Sequence, residues 1–318
     1  LVQGRSLFLG FNIFWDQIHV FQNPFQRPLS VKLLGDAFRV IVEAEYAPFR
    51  LITNSFDYTF WRFNPFGHHL GSFLLFLINV LLVFILANKL LSRSGARSVR
   101  RLAVAGLTAF FFGIHPLRVE VVAWITPREY LLGLSFYLAA LGCYLKWTDG
   151  RGRGWYAGAF ISALGAGFCQ PFSVSLPAAL LVLDYYPLKR LRRGRLGKIL
   201  AEKIPFLVIA VLVTAQIVRI RRQVGIIHPV DLTVILRNLA EFPAVIGAYL
   251  YKTFFPMAVA PIYPLDQTGA PGLIILSVAI LAVLVVLSAF RKKKSPALAA
   301  GGLFFLVTLI PNGGILRS

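Results

Sequence analysis

The sequence predicts an all-α, polytopic membrane protein with roughly 8–10 membrane-embedded helices and a first loop outside the cytoplasm. Three observations predict it. The 318-residue chain is 57% hydrophobic and 14% charged, where a soluble domain carries about a quarter charged residues. Runs such as LGSFLLFLINVLLVFILAN (70–88) and GLIILSVAILAVLVVLSAF (272–290) carry no charge over nearly the ~20 residues a helix needs to cross a bilayer. The net charge of +20 is also unevenly spread, with 19 of 33 Lys and Arg in four short loops, 89–101, 146–153, 189–203 and 291–294.

Residues 1–68 are the longest stretch without a span. Five acidic residues, Asp16, Asp36, Glu43, Glu45 and Asp57, nearly balance six basic ones there. This fits an extracytoplasmic segment on the membrane face, with its aromatic residues at the interface. The multi-helix membrane domain is expected over 69–318. Its candidate spans are 70–91, 102–114, 131–147, 155–169, 172–186, 204–219, 242–257, 272–290 and 297–311. Several are short enough to be tilted, re-entrant or buried by neighbours.

Basic residues resist translocation and meet anionic lipid. That rule places 92–101, 148–154, 187–203 and 291–296 in the cytoplasm, and 1–68 and 115–130 outside. Keeping 291–294 inside requires 220–271 to stay largely external, with 231–257 as an interfacial or re-entrant helix. Arg219, Arg221 and Arg222 then sit at the outer face, where lipid headgroups or a phosphate would answer them. Membrane lipids are the expected partners; nucleic acid is not, because the charge lies in loops rather than one patch. Cys143 and Cys169 sit in apolar context without metal-ligand spacing, so no metal or cofactor is expected. No span carries a central ion-path charge and no repeat is visible, which argues against a transporter.

The connector HPLRVEVVAWITPREY (115–130) concentrates His115, Arg118, Glu120, Arg128 and Glu129 where water meets lipid. Ionisable groups at that depth pair with one another or line a pathway. Interfacial ion pairs around a His–Pro turn are one reading. Asp16, in FWDQIHVFQNP (14–24), lies in a segment assigned to the same face, and an exposed loop Asp is its plainer reading.

Four segments in order give a more specific signal: FDYTFWRFNPFGHHL (56–70), HPLRVEVVAWITPREYLLGLSFYLAALGCYLKW (115–147), SLPAALLVLDYYPLKRL (175–191) and YLYKTFFPMAVAPIYP (249–264). Together they resemble bacterial relatives of the transmembrane and tetratricopeptide-repeat O-mannosyltransferases, a GT-C-type glycosyltransferase family. The resemblance implies hexosyl transfer from a polyprenyl-phosphate sugar to an acceptor hydroxyl at the extracytoplasmic face of a bacterial inner membrane. It implies a general base at Asp16, the first of the family's acidic pair, and for Glu120 a role in positioning the acceptor or orienting Arg128. It also implies phosphate contacts from Arg128 and Lys252, joined by Arg118, Arg221 and His115, and matches the family's Tyr-Pro at Tyr263 and Pro264. His115 is alternatively a cap for the connector. Further helices and repeats past residue 318 are expected.

The departures from the family are polar losses. Asp-Asp becomes Asp16-Gln17. Ala47 precedes Pro48 where relatives carry His or Arg. An Arg-Lys-Asp run reads Arg128-Glu129-Tyr130. A Lys-Pro pair reads Gln170-Pro171, and a helix His is Phe76. An alternative therefore stands beside the enzyme: a catalytically degenerate glycosyltransferase-like fold serving as an accessory subunit of a larger membrane complex.

Overall fold

α3 (Pro65–Ser92) shows how the chain folds and why it belongs in a membrane. Asn64 caps its start by accepting from the Phe66 amide at 3.1 Å, with Pro65 at the first position, where a missing N–H does no harm. Its 28 residues span about 42 Å, enough to cross a bilayer. His68, His69, Ser72, Phe76 and Asn79 are buried at helical spacing, while Leu74, Leu77, Leu81 and Ile85 are exposed on the other face. Polar groups inside and leucines outside fit a helix solvated by lipid.

The structure is a computed structural model. It describes residues 3–11, 16–23, 27–42, 46–93, 95, 97–191, 194–225, 232–256 and 296–312. Among the described residues every regular element is helical, as the composition predicts. The chain divides into two compact units, 1–173 and 174–318. Within the first unit, residues 3–8 and the helix Pro48–Trp61 pack on α3.

In the first unit, α1 (Val31–Ala37) starts at Ser30, whose hydroxyl accepts from the Leu33 amide. It packs on α2 (Pro48–Trp61), and α2 packs on α3. α4 (Ser98–Ile114) ends at His115-Pro116 and leads through a 3₁₀ turn to α5 (Val119–Ala123). The two arms bend by 59° at the break, as in a broken span or a re-entrant loop, since Pro116 can neither donate to the ladder nor fit the preceding turn. α6 (Arg128–Thr148) packs on α3 and on α7 (Arg153–Gly167). Asn79 donates to the Leu131 carbonyl at 2.9 Å and accepts from Ser135 at 2.9 Å, tying α3 to α6 inside an apolar environment. At Gly165 a Cβ would lie 2.7 Å from the Phe136 ring, so the small residue sets the approach of α7 to α6. At the C-terminal ends of α3 and α6, Asp149 pairs with both Lys89, in the last turn of α3, and Arg93, joining two of the basic loops.

In the second unit, α8 (Leu176–Tyr185) packs against α10 (Ile204–Gln223) and α12 (Pro296–Leu309). α9 (Leu196–Ala201) precedes α10, and α11 (Leu232–Phe254) follows it. Three described helices, α3, α6 and α10, are long and apolar enough to cross a membrane, or four spans counting the bent pair. α7, α8 and α12, expected as spans, run 15, 10 and 14 residues, shorter than a bilayer is thick. α11 is one continuous helix of 23 residues, where an interfacial or re-entrant helix is expected. The span at 272–290 and the loop 291–296 lie outside the described residues, apart from Pro296.

Candidate functional site

The N-terminal ends of α3 and α6 meet a set of buried polar side chains, all in the first unit. Asp16 is 1% exposed and accepts a hydrogen bond from the Thr126 hydroxyl at 2.6 Å. The turn that follows Asp16 closes with Asn23 donating to the His19 carbonyl at 3.0 Å. The segment ahead of it, residues 3–8, packs on α3 and α5. The first-loop acid and the polar connector, distant in sequence, are therefore joined directly.

Arg128, the first residue of α6, is 1% exposed. Its Nε donates to Ser72 at 3.2 Å, Nη1 to Asp57 and to the Thr53 carbonyl, and Nη2 to the His68 carbonyl. Every guanidinium nitrogen is thus engaged by a protein oxygen. Gly71 makes room for this pair: a Cβ there would lie 2.9 Å from Asp57 Oδ2 and 3.2 Å from Arg128 Nη2. His68 lies 3.7 Å from the Asp57 carboxylate through Nδ1, and its Nε2 meets the Arg62 carbonyl at 2.9 Å. An ion pair removed from water needs such additional hydrogen bonds to offset desolvation.

Beside it, Glu129 accepts from Arg50 at 3.4 Å and from Gln170 at 3.3 Å. Arg50 and Glu129 are buried at 1% and 2% exposure. Two of the positions that depart from the family pattern, Glu129 and Gln170, therefore touch each other.

The other sequence-derived candidates are placed as follows. His115 ends α4, and its Nδ1 accepts from the Leu117 amide at 3.3 Å, so it caps the connector. Arg118 lies over the Phe112 ring, 4.6 Å from its centroid, a cation–π contact. Glu120, on α5, is half-buried, and its side chain makes no hydrogen bond or ion pair among the described residues. In the second unit, Arg221 is exposed in the last turn of α10, and Lys252 is half-buried near the end of α11. Tyr263 and Pro264 lie outside the described residues. Among the described residues no three His, Cys, Asp or Glu side chains gather as a metal-ligand set.

Sequence reasoning missed Asp57, Arg50 and His68 as members of this cluster. A signal existed: four polar residues at positions 68, 69, 72 and 79 of the otherwise apolar stretch 65–87 mark the face that cannot meet lipid.

Neither a protein-family model nor a solved structure matches the chain. Among curated proteins, the protein O-mannosyl-transferase Tmtc3 of Drosophila melanogaster is 28% identical over 167 residues, covering 46% of this chain and 18% of that protein. The chain thus spans less than a fifth of that relative's length. At this distance the match establishes a loose relationship to that O-mannosyltransferase.

Proposed function

We propose that the protein is an inverting glycosyltransferase that moves a hexosyl group from a polyprenyl-phosphate donor to an acceptor hydroxyl. The transfer takes place at the extracytoplasmic face of a bacterial inner membrane, with the basic loops in the cytoplasm. The observation that carries this reading is the Thr126–Asp16 hydrogen bond. It sets the first-loop carboxylate at the connector, where a proton acceptor is needed. The distant match to an O-mannosyltransferase supports the same class.

In this reading Asp16 accepts the acceptor hydroxyl's proton. The acceptor oxygen bonds to the anomeric carbon as the bond from that carbon to the phosphate oxygen breaks, and the lipid phosphate leaves as an anion. Glu120, with no partner among the described residues, positions the acceptor. Arg118 supplies charge to the departing phosphate. His115 acts as a cap. In this reading Arg128, whose nitrogens donate to Asp57, Ser72 and two carbonyls, holds the framework of the site. Because Asp16 is buried, acceptor binding must displace the connector around Thr126.

A second reading is favoured by that same guanidinium, each of whose nitrogens already donates within the protein. The protein is then a catalytically degenerate fold that serves as an accessory subunit of a larger membrane complex. Gentle purification from the native membrane, followed by mass spectrometry of lipids and polypeptides, separates the two. A polyprenyl-phosphate sugar on an otherwise solitary protein supports the enzyme. Stoichiometric recovery with a large complex and no such lipid supports the scaffold.

A further inference from the structure

A second charged site lies in the second unit, where the chain turns from α8 toward α10. Asp184 is fully buried. It pairs with Arg190 Nη1 at 2.9 Å and Lys203 Nζ at 2.6 Å. Arg190 Nη2 forks onto both Glu202 oxygens at 2.9 and 2.8 Å. Burial pushes the Lys203 ammonium down from its ordinary value, and Asp184 opposes that shift. The network fixes the loop that holds Arg190.

Beside this network is a cavity of about 230 Å³ lined by Arg190, Arg195, Lys198, Ile199 and Glu202. Its carboxylate is already committed to Arg190. Arg195 and Lys198 are exposed and make no ion pair or side-chain hydrogen bond among the described residues. The cavity is therefore a net cationic recess with two cations not yet matched.

A separate observation identifies its surroundings. Leu196 and Leu200 on α9 are 46% and 55% exposed, and Ile204, Leu207 and Val211 continue the exposed apolar series along α10. α10 is long and apolar enough to span a bilayer, so this face meets acyl chains. α9 then sits where α10 meets the headgroups. Cations beside lipid-facing leucines match a phospholipid's phosphate and its acyl chains together. A free anion would use the cations alone.

We propose that this cavity binds the phosphate of an anionic glycerophospholipid. Arg195 and Lys198 contact the phosphate oxygens, and the acyl chains lie against Leu196 and Leu200. The proposal is independent of whether the protein transfers sugar.

The test is native mass spectrometry of the full chain in detergent, titrated with dioleoyl phosphatidylglycerol or dioleoyl phosphatidylcholine. Phosphatidylglycerol should be retained preferentially. Arg195→Gln with Lys198→Gln should weaken its retention by at least about tenfold, while Arg151→Gln with Arg153→Gln leaves it unchanged. Leu196→Ser with Leu200→Ser keeps the cations and should also weaken the lipid. Helical melting curves confirm that each variant is folded. Equal retention of the two lipids, or unchanged retention by the Arg195/Lys198 variant, overturns the proposal. Inorganic phosphate that displaces the lipid at matching concentration would assign the cavity to a free anion and overturn it as well.

Discussion

The Thr126 hydroxyl reaches the Asp16 carboxylate at 2.6 Å, across 110 residues of sequence. Both side chains are buried, so the bond holds a carboxylate away from water at the end of a membrane helix bundle. A charge-assisted O–H···O contact of this length is among the stronger protein hydrogen bonds. It also fixes where the connector crosses the first-loop segment.

Thr126→Val keeps the shape and removes the donor. It should lower stability by about 1–3 kcal/mol, because the buried carboxylate loses a partner. Thr126→Ser should restore most of that. Thermal unfolding in detergent measures both; equal melting of the valine variant and the parent would show that the contact contributes nothing.

Arg128 and Asp57 form a buried ion pair, with the guanidinium further held by Ser72 and the His68 carbonyl. Removing one partner strands the other. Asp57→Ala should therefore destabilise by about 3–5 kcal/mol, and Asp57→Ala combined with Arg128→Met should recover part of the loss. A double-mutant cycle of unfolding free energies reads the coupling. Strictly additive losses would mean the pair is not coupled.

Gly165 lies against the Phe136 ring with no room for a Cβ. Gly165→Leu should force α7 off α6 and destabilise by about 1–3 kcal/mol. Adding Phe136→Ala should return part of that stability. The check is again melting in detergent, with no recovery in the double variant counting against close packing at this point.

Much of the helix layout was legible from composition. The apolar runs at 70–88, 131–147 and 204–219 fall inside α3, α6 and α10, because long uncharged runs have few alternatives in lipid. The break at His115-Pro116 and the His115 cap were legible for the same kind of local reason. The polar cluster was less so. Asp57 sits inside a quoted segment, but its burial depends on Arg128, 71 residues away. In a region read as an interfacial loop, such an Asp looks solvated. The resemblance implies a phosphate contact for Arg128, and the sequence does not show that its guanidinium also donates to Asp57, Ser72 and two backbone carbonyls. Glu129 and Gln170 read as separate departures from the family pattern; in the fold they share a hydrogen bond, with Arg50 on the same carboxylate.

The central claim is that Asp16 is the proton acceptor in sugar transfer at the outer face. The most direct measurement is single-turnover transfer from a radiolabelled polyprenyl-phosphate hexose to acceptor hydroxyls, with the parent protein and Asp16→Asn compared in the same proteoliposomes. The account predicts transfer by the parent and a loss of at least about a hundredfold in Asp16→Asn, with melting and donor binding retained. Transfer by Asp16→Asn at the parent's rate would contradict it.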